Sequence, residues 1–172
     1  MTKDRPLTLY ERQKIEKPSV TEVAAEHLDA VLYQQLSDFV EFLTLNKMTP
    51  RIHTTNTFKV TYKGRQVLKI PIAYVTYKNK NCYSIVVDTA EVEDMDRYLE
   101  PLDDDMRAFY FENIRLCRHC SKCPPKSMTV LGRKINNYCG TYMQIFTPTQ
   151  QQYEYIKRFI MLRRDYLASI SP

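Results

Sequence analysis

Apolar residues recur every three or four positions from Ala24 through Leu28, Val31, Leu32, Leu36 and Phe39 to Leu43. That period lines one face of an α-helix. Ser19, three residues ahead of Glu22, offers a capping box at its start, and Pro50 bars continuation much beyond Asn46. The pattern predicts one long N-terminal helix of about seven turns.

After Asn56 the period changes to two. "NTFKVTY" alternates Phe58, Val60 and Tyr62 with polar neighbours, Lys63–Gly64 suits a hairpin turn, and "RQVLKIPIAYV" follows. Pro71 points to an edge or a strand end. Past the turn residues at 79–81, "CYSIVVD" makes a third strand that opens with Cys82, read as a small core or edge residue. Three antiparallel strands in a meander result.

A middle helix follows, with Pro101 in its first turn and Asp103, Asp104 and Asp105 near the positive end of its dipole. Met106, Phe109, Tyr110, Ile114 and Cys117 form its apolar face. Helix-start chemistry thus accounts for the acids, and the alternating Asp/Asn ligands and glycine of a calcium loop are absent. "MTVLG" and "YCGTYMQIF" read as two more strands joined by the turn "RKINN". A C-terminal helix is capped at Thr147, takes Pro148 in its first turn and completes a box with Gln150. Ile156, Phe159, Ile160 and Leu167 form its buried face, while Lys157, Arg163 and Arg164 serve as cations toward its C-terminal half.

The expected fold is α+β: an antiparallel sheet of four to five strands, a long N-terminal helix, a middle helix and a C-terminal helix. Residues 1–18 read as a flexible, polar lead-in, and 19–172 as a single domain with a Cys-rich loop at 117–139.

Composition narrows the function. With 44% hydrophobic and 26% charged residues in a 172-residue chain, a packed core is available. Only three glycines stand against nine prolines, and neither GxGxxG nor GxxxxGKS/T occurs, which excludes those phosphate cradles. No apolar run is long enough for a membrane span or a signal peptide, so the chain is expected in a reducing cytoplasm. Residues 91–105 hold eight acids and one base, a net of −7 against +5 for the whole chain, leaving +12 elsewhere. A basic body suits an anionic ligand, nucleic acid or an acidic partner.

The chemistry concentrates in "LCRHCSKCPP", Leu116 to Pro125. Cys117, Cys120 and Cys123 stand at C-x2-C-x2-C spacing, and Cys139 follows after fifteen intervening residues. Four thiolates close a tetrahedral zinc site, and Gly140 after Cys139 allows the tight backbone that such a ligand favours. Zinc ribbons bring two C-x2-C pairs, whereas this triple spacing is more typical of 4Fe–4S ligation. The ferredoxin run would need a cysteine at 127, which is Ser127, so Cys139 would supply the fourth corner. His119 is an alternate ligand. Arg115, Arg118, Lys122, Lys126, Arg133 and Lys134 surround the loop, with no acid from 115 to 134. They would offset the charge of a four-thiolate centre, hold an anion or nucleic acid, or activate free thiols for redox work.

His27 and His53 read as structural, and no nucleophile–base pair marks an enzyme. Tyr74 to Tyr83, "YVTYKNKNCY", interleaves aromatics with lysines, as a nucleic-acid stacking platform or an ordinary strand would. Through Tyr62–Gly64, Cys117–Cys123, Leu131–Arg133, Tyr138–Gly140 and the helical stretch 148–168, the layout resembles small bacterial α+β proteins with a C-x2-C-x2-C…C cluster. The resemblance implies a shared fold and cysteine site, and no activity. The expected function is a cytoplasmic binding or regulatory module with structural zinc. An Fe–S or thiol redox protein, or a basic nucleic-acid-binding module, are the alternatives.

Overall fold

The structure, a computed structural model, describes residues 6–77, 80–89, 92–116 and 126–170. Among these residues the helices are α1 Leu9–Glu16, α2 Val20–His27, α3 Ala30–Leu45, α4 Met95–Leu99, α5 Asp104–Asn113 and α6 Gln150–Ser169. The strands are β1 Thr49–Thr54, β2 Thr57–Tyr62, β3 Arg65–Tyr77, β4 Lys80–Val87, β5 Ile114–Leu116, β6 Lys126–Val130 and β7 Arg133–Phe146. The fold is α+β, and its antiparallel sheet runs β1-β2-β3-β4-β7-β5, with β6 paired to β7. The sheet exceeds the expected four to five strands. β1, "TPRIHT", holds one large apolar residue and shows no alternation, and β5 is three residues long. Among the described residues no helix is long and apolar enough to cross a membrane.

The chain divides into two compact units, Met1–Ser84 and Ile85–Pro172. In the first, the segment expected as a flexible lead-in carries α1. Thr8 and Glu11 form a reciprocal capping box, with Thr8 N–H donating to Glu11 Oε2 at 2.8 Å and Glu11 N–H to Thr8 Oγ1 at 3.2 Å. Lys17 ends the helix in the left-handed region, φ 51°.

The long N-terminal helix is two helices. Ser19 and Glu22 cap α2 as expected, but the chain extends at Leu28, and Asp29 starts a second helix by accepting from Leu32 N–H at 2.9 Å. The break shifts the helical phase, which leaves Val31, expected in the buried stripe, 67% exposed. Leu36, Phe39 and Leu43 stay buried, as do Phe58 and Val60 of β2 and Leu68, Ile70 and Ile72 of β3. Fully burying one such side chain is worth about 1.5–3 kcal/mol. β2 and β3 turn at Lys63–Gly64 as expected, but Pro71, expected at an edge or strand end, lies in the middle of the inner strand β3, where the β2 ladder ends opposite Thr57.

Asn56 ties this unit together. It sits at the β1–β2 turn with φ 49° and is 2% exposed. Its N–H donates to Gln13 Oε1 at 2.9 Å, which fixes the Gln13 amide so that Nε2 donates to Asn56 Oδ1. Asn56 Nδ2 then faces His27 Nε2 at 3.3 Å, and the Asn56 carbonyl accepts from Ile72 N–H at 2.7 Å. One side chain and its backbone thereby join α1, α2 and β3. His27 is structural, as its place beside the α2 stripe suggested.

In the second unit Asp94 caps α4 and Asp103 caps α5. Pro101 lies in the link ahead of α5 rather than in its first turn, because Asp103 Oδ1 accepts from Met106 N–H at 2.9 Å and sets the start two residues later. Hydrogen bonds from Met106 N–H and then Arg158 hold the Asp103 carboxyl below the usual carboxylate range. The Arg158 guanidinium, 2.8 Å away, joins α6 to α5. Helix α6 starts two residues later than expected, with Thr149 and Gln152 as the box. Thr147 instead takes φ 38° ahead of Pro148, a conformation no N-cap adopts. The β6–β7 turn is Leu131–Gly132, and "RKINN", expected as a turn, lies in β7. Gly132, which precedes that segment, supplies the second positive φ that the two-residue turn needs, beside Leu131.

Candidate metal centre

The described strands on either side of the cysteine segment, β5 and β6, both pair with β7. Strand β5 ends at Leu116, one residue before Cys117, and β6 begins at Lys126, one after Pro125. Leu116 pairs with Tyr138 of β7, and Lys126 pairs with the same Tyr138. Cys139 is the next residue of β7.

Paired strands lie about 4.7–5.5 Å apart, so the Cα atoms of Leu116 and Lys126 stand within about 11 Å of each other. Nine residues can span roughly 30 Å when extended. The residues that flank the segment with Cys117, Cys120 and Cys123 are therefore both paired to the residue before Cys139. Cys117, His119, Cys120 and Cys123 themselves lie outside the described residues. Among the described residues no group of three His, Cys, Asp or Glu side chains could hold a metal.

The fifth cysteine is elsewhere. Cys82 is buried in β4, 2% exposed, between exposed Asn81 and buried Tyr83, and it packs as the small core residue its position suggested.

Of the six basic residues, Arg118 and Lys122 also lie outside the described residues. Arg115 is exposed on β5 and Lys134 on β7. The Arg133 guanidinium lies over the Phe111 ring, 4.8 Å from its centroid, a cation–π contact that fixes its head beside the end of α5. Lys126 opens β6 opposite Tyr138. The three described strands thus carry cations at both margins of the loop. Of the tyrosine–lysine stretch, Tyr83 is fully buried and offers no face for a base to stack on. His53 is exposed on β1, with its pKa lowered by partial burial and then by Lys69 and Lys59.

The second unit also buries polar groups that the reading of α6 missed. Arg163 is 1% exposed, with its guanidinium 5.7 Å from the Tyr166 ring centroid. Tyr98 of α4 stands edge-on to Tyr166 at 5.7 Å. Burial, opposed by Arg163, pushes the Tyr98 phenol well above its usual range and keeps it protonated. The signal was present: Arg163 continues the Ile156, Phe159, Ile160, Leu167 stripe at helical spacing, and its charge alone suggested the surface. Beside Tyr98 and Tyr166, a cleft of about 450 Å³ is walled by Leu162, Glu93, Asp94 and Asp165.

Comparison with protein-family profiles, with curated proteins and with solved structures found no match to this chain.

Proposed function

We propose that the chain is a metal-binding module in which Cys117, Cys120, Cys123 and Cys139 hold one zinc ion, with His119 as the alternate ligand. The observation that carries this reading is the shared register at Tyr138. Both ends of the cysteine segment meet β7 at the residue before Cys139. A ligand set split as three in one loop and one on a strand is workable only if the strand passes the loop's base. This one does.

Four thiolates leave no open position, so the ion would be structural rather than catalytic. It would fasten the loop to β7 and present the loop's basic residues as a fixed surface, as suits a binding or regulatory module. Arg115, Arg133 and Lys134 on the adjoining strands would offset the net −2 charge of a four-thiolate zinc centre. A reducing cytoplasm would keep the cysteines available as thiolates.

Elemental analysis with a visible spectrum, on untagged protein purified without air, tests the proposal. One zinc per chain and no visible absorption is the expected result. Iron with sulfide and a brown colour would replace zinc by a 4Fe–4S cluster and make the module a redox or sensing protein. No metal, with the thiols of 117, 120, 123 and 139 titrating freely, would overturn both.

A further inference from the structure

In the first unit the β1–β2–β3 register sets three cations in one row. Arg51 pairs with Lys59, and Lys59 pairs with Lys69. Residues directly opposite in antiparallel strands point to the same face, and the next rung is the apolar row Ile52, Phe58, Ile70. Phe58 and Ile70 are buried, so the cation row faces away from the core. Like charges placed opposite each other destabilise a sheet, and this row does so twice.

Among the described residues none of the three cations forms an ion pair. Of the carboxylates on α1 and α2, Glu11 bonds Thr8, Glu22 bonds Ser19 and Glu26 stands beside His27. His53, two residues from Arg51 on the same strand, senses Lys69 and Lys59 and no carboxylate, and they help to hold its pKa down.

We propose that this face of β1–β3 binds the phosphate backbone of single-stranded nucleic acid, independently of any metal at the cysteine loop. The geometry favours a linear polyanion over a single phosphate. One phosphate needs donors that converge on a point, whereas these three are laid in a line across three adjacent strands, about 5 Å from strand to strand. The flanking outward rungs, Thr49–Thr61–Gln66 and Thr57–Pro71, add hydroxyl and amide groups of the kind that contact phosphate oxygens. A lipid surface would need an apolar anchor. The exposed large apolar residues of this unit, such as Leu9, Ile15 and Val31, lie on its helices or ahead of them. With no base-reading group in the row, binding is sequence-independent.

The test is fluorescence anisotropy of a labelled mixed-sequence single-stranded 20-mer against the full chain, from 50 to 200 mM salt. Three phosphate contacts predict a slope of log K on log salt of about −2 from this row. The variant R51Q/K59Q/K69Q should lose about that much slope and at least tenfold in affinity at 50 mM salt, with no fall in melting temperature. Should the triple variant not fold, Lys59→Gln alone should reduce the slope by about 0.7. The control R133Q/K134Q, on the other hairpin, should change nothing, and chelator should change nothing. On binding, the His53 imidazole pKa should rise, read by NMR. No binding at 50 mM salt would overturn the proposal. So would a slope untouched by the row variants or lost in the control, or tighter binding to phosphatidylserine vesicles than to the oligonucleotide.

Discussion

The β2–β3 hairpin turns at Lys63–Gly64 with φ of 47° and 78°, and the β6–β7 hairpin at Leu131–Gly132 with φ of 48° and 73°. Positive φ at both central positions is the two-residue turn that matches strand twist. The backbone device is common to both, and the side chains around it differ. In β2–β3 the inward rungs are apolar and buried, so the core holds the hairpin, and the cations Lys59 and Lys69 share an outward rung. In β6–β7, Val130 is buried while Thr129, Lys134 and Asn136 are exposed, and Leu131 N–H is held from outside by Asp96 Oδ1 at 2.7 Å. A hairpin with so few buried rungs at its tip gains from a second fastening. The metal at its base, where Cys139 lies, would supply it.

The largest expected effect separates the two hairpins through that fastening. Cys139→Ser should strip most of the metal and cost on the order of 3 kcal/mol, about a quarter of the apparent binding of a four-thiolate zinc site. Cys82→Ser should leave metal content unchanged. Metal loss from the Cys82 variant, or full occupancy in the Cys139 variant, by elemental analysis, would reverse the ligand assignment.

Next comes the hub on which the first hairpin leans. Asn56→Ala strands the buried Gln13 amide and should cost about 2–3 kcal/mol by denaturant titration, with α1 losing its hydrogen-exchange protection first. A loss below about 0.5 kcal/mol, the scale of an ordinary surface change, would mean that α1 is held by other contacts.

The turns themselves should respond alike. An added Cβ meets no atom within 4 Å at Gly64 or Gly132, so only the positive φ resists it. Gly64→Ala and Gly132→Ala should each cost about 1 kcal/mol. Leu131→Asn should stabilise by several tenths of a kcal/mol, roughly, because Asn tolerates the left-handed region better than Leu. Unequal glycine costs would show that one turn carries strain the other lacks.

The smallest effect is electrostatic and belongs to the β1–β3 face. The folded state holds the His53 pKa below that of the unfolded chain, through burial first and the lysines second. The unfolded chain therefore binds the proton more readily, and stability falls as pH drops through about 6.5 toward the folded value. His53→Gln should flatten that slope, measured by denaturant midpoints between pH 7.5 and 5. An unchanged slope would place the titration on another group.

Why some elements were readable in the sequence and others were not follows from what each asks of its residues. Strand β2 alternates and its turn to β3 carries glycine, so that hairpin could be read directly, whereas β4 is buried continuously from Cys82 to Val87 and shows no alternation. The α2–α3 break could not, because the apolar spacing continues through Leu28 and Val31, and only the cap at Asp29 marks the interruption. At 147–152, "TPTQQQ" offers two overlapping boxes, and the positive φ of Thr147 decides between them. Arg163 was misplaced by its charge, although its spacing was that of the core. The cysteine spacing suggested a site, and Cys117, Cys120 and Cys123 lie outside the described residues. What relates Cys139 to the other three is the long-range pairing of Leu116 and Lys126 to one residue, which no local pattern encodes.

The most direct test is hydrogen exchange by mass spectrometry on the metal-loaded chain, with and without chelator, read separately over peptides covering 57–72 and 126–146. Chelation should lower protection of the β6–β7 hairpin about a hundredfold or more, as removal of several kcal/mol of fastening requires, and leave β2–β3 as it was. Equal protection of β6–β7 in both states, or equal loss in both hairpins, would contradict a metal fastened at Cys139.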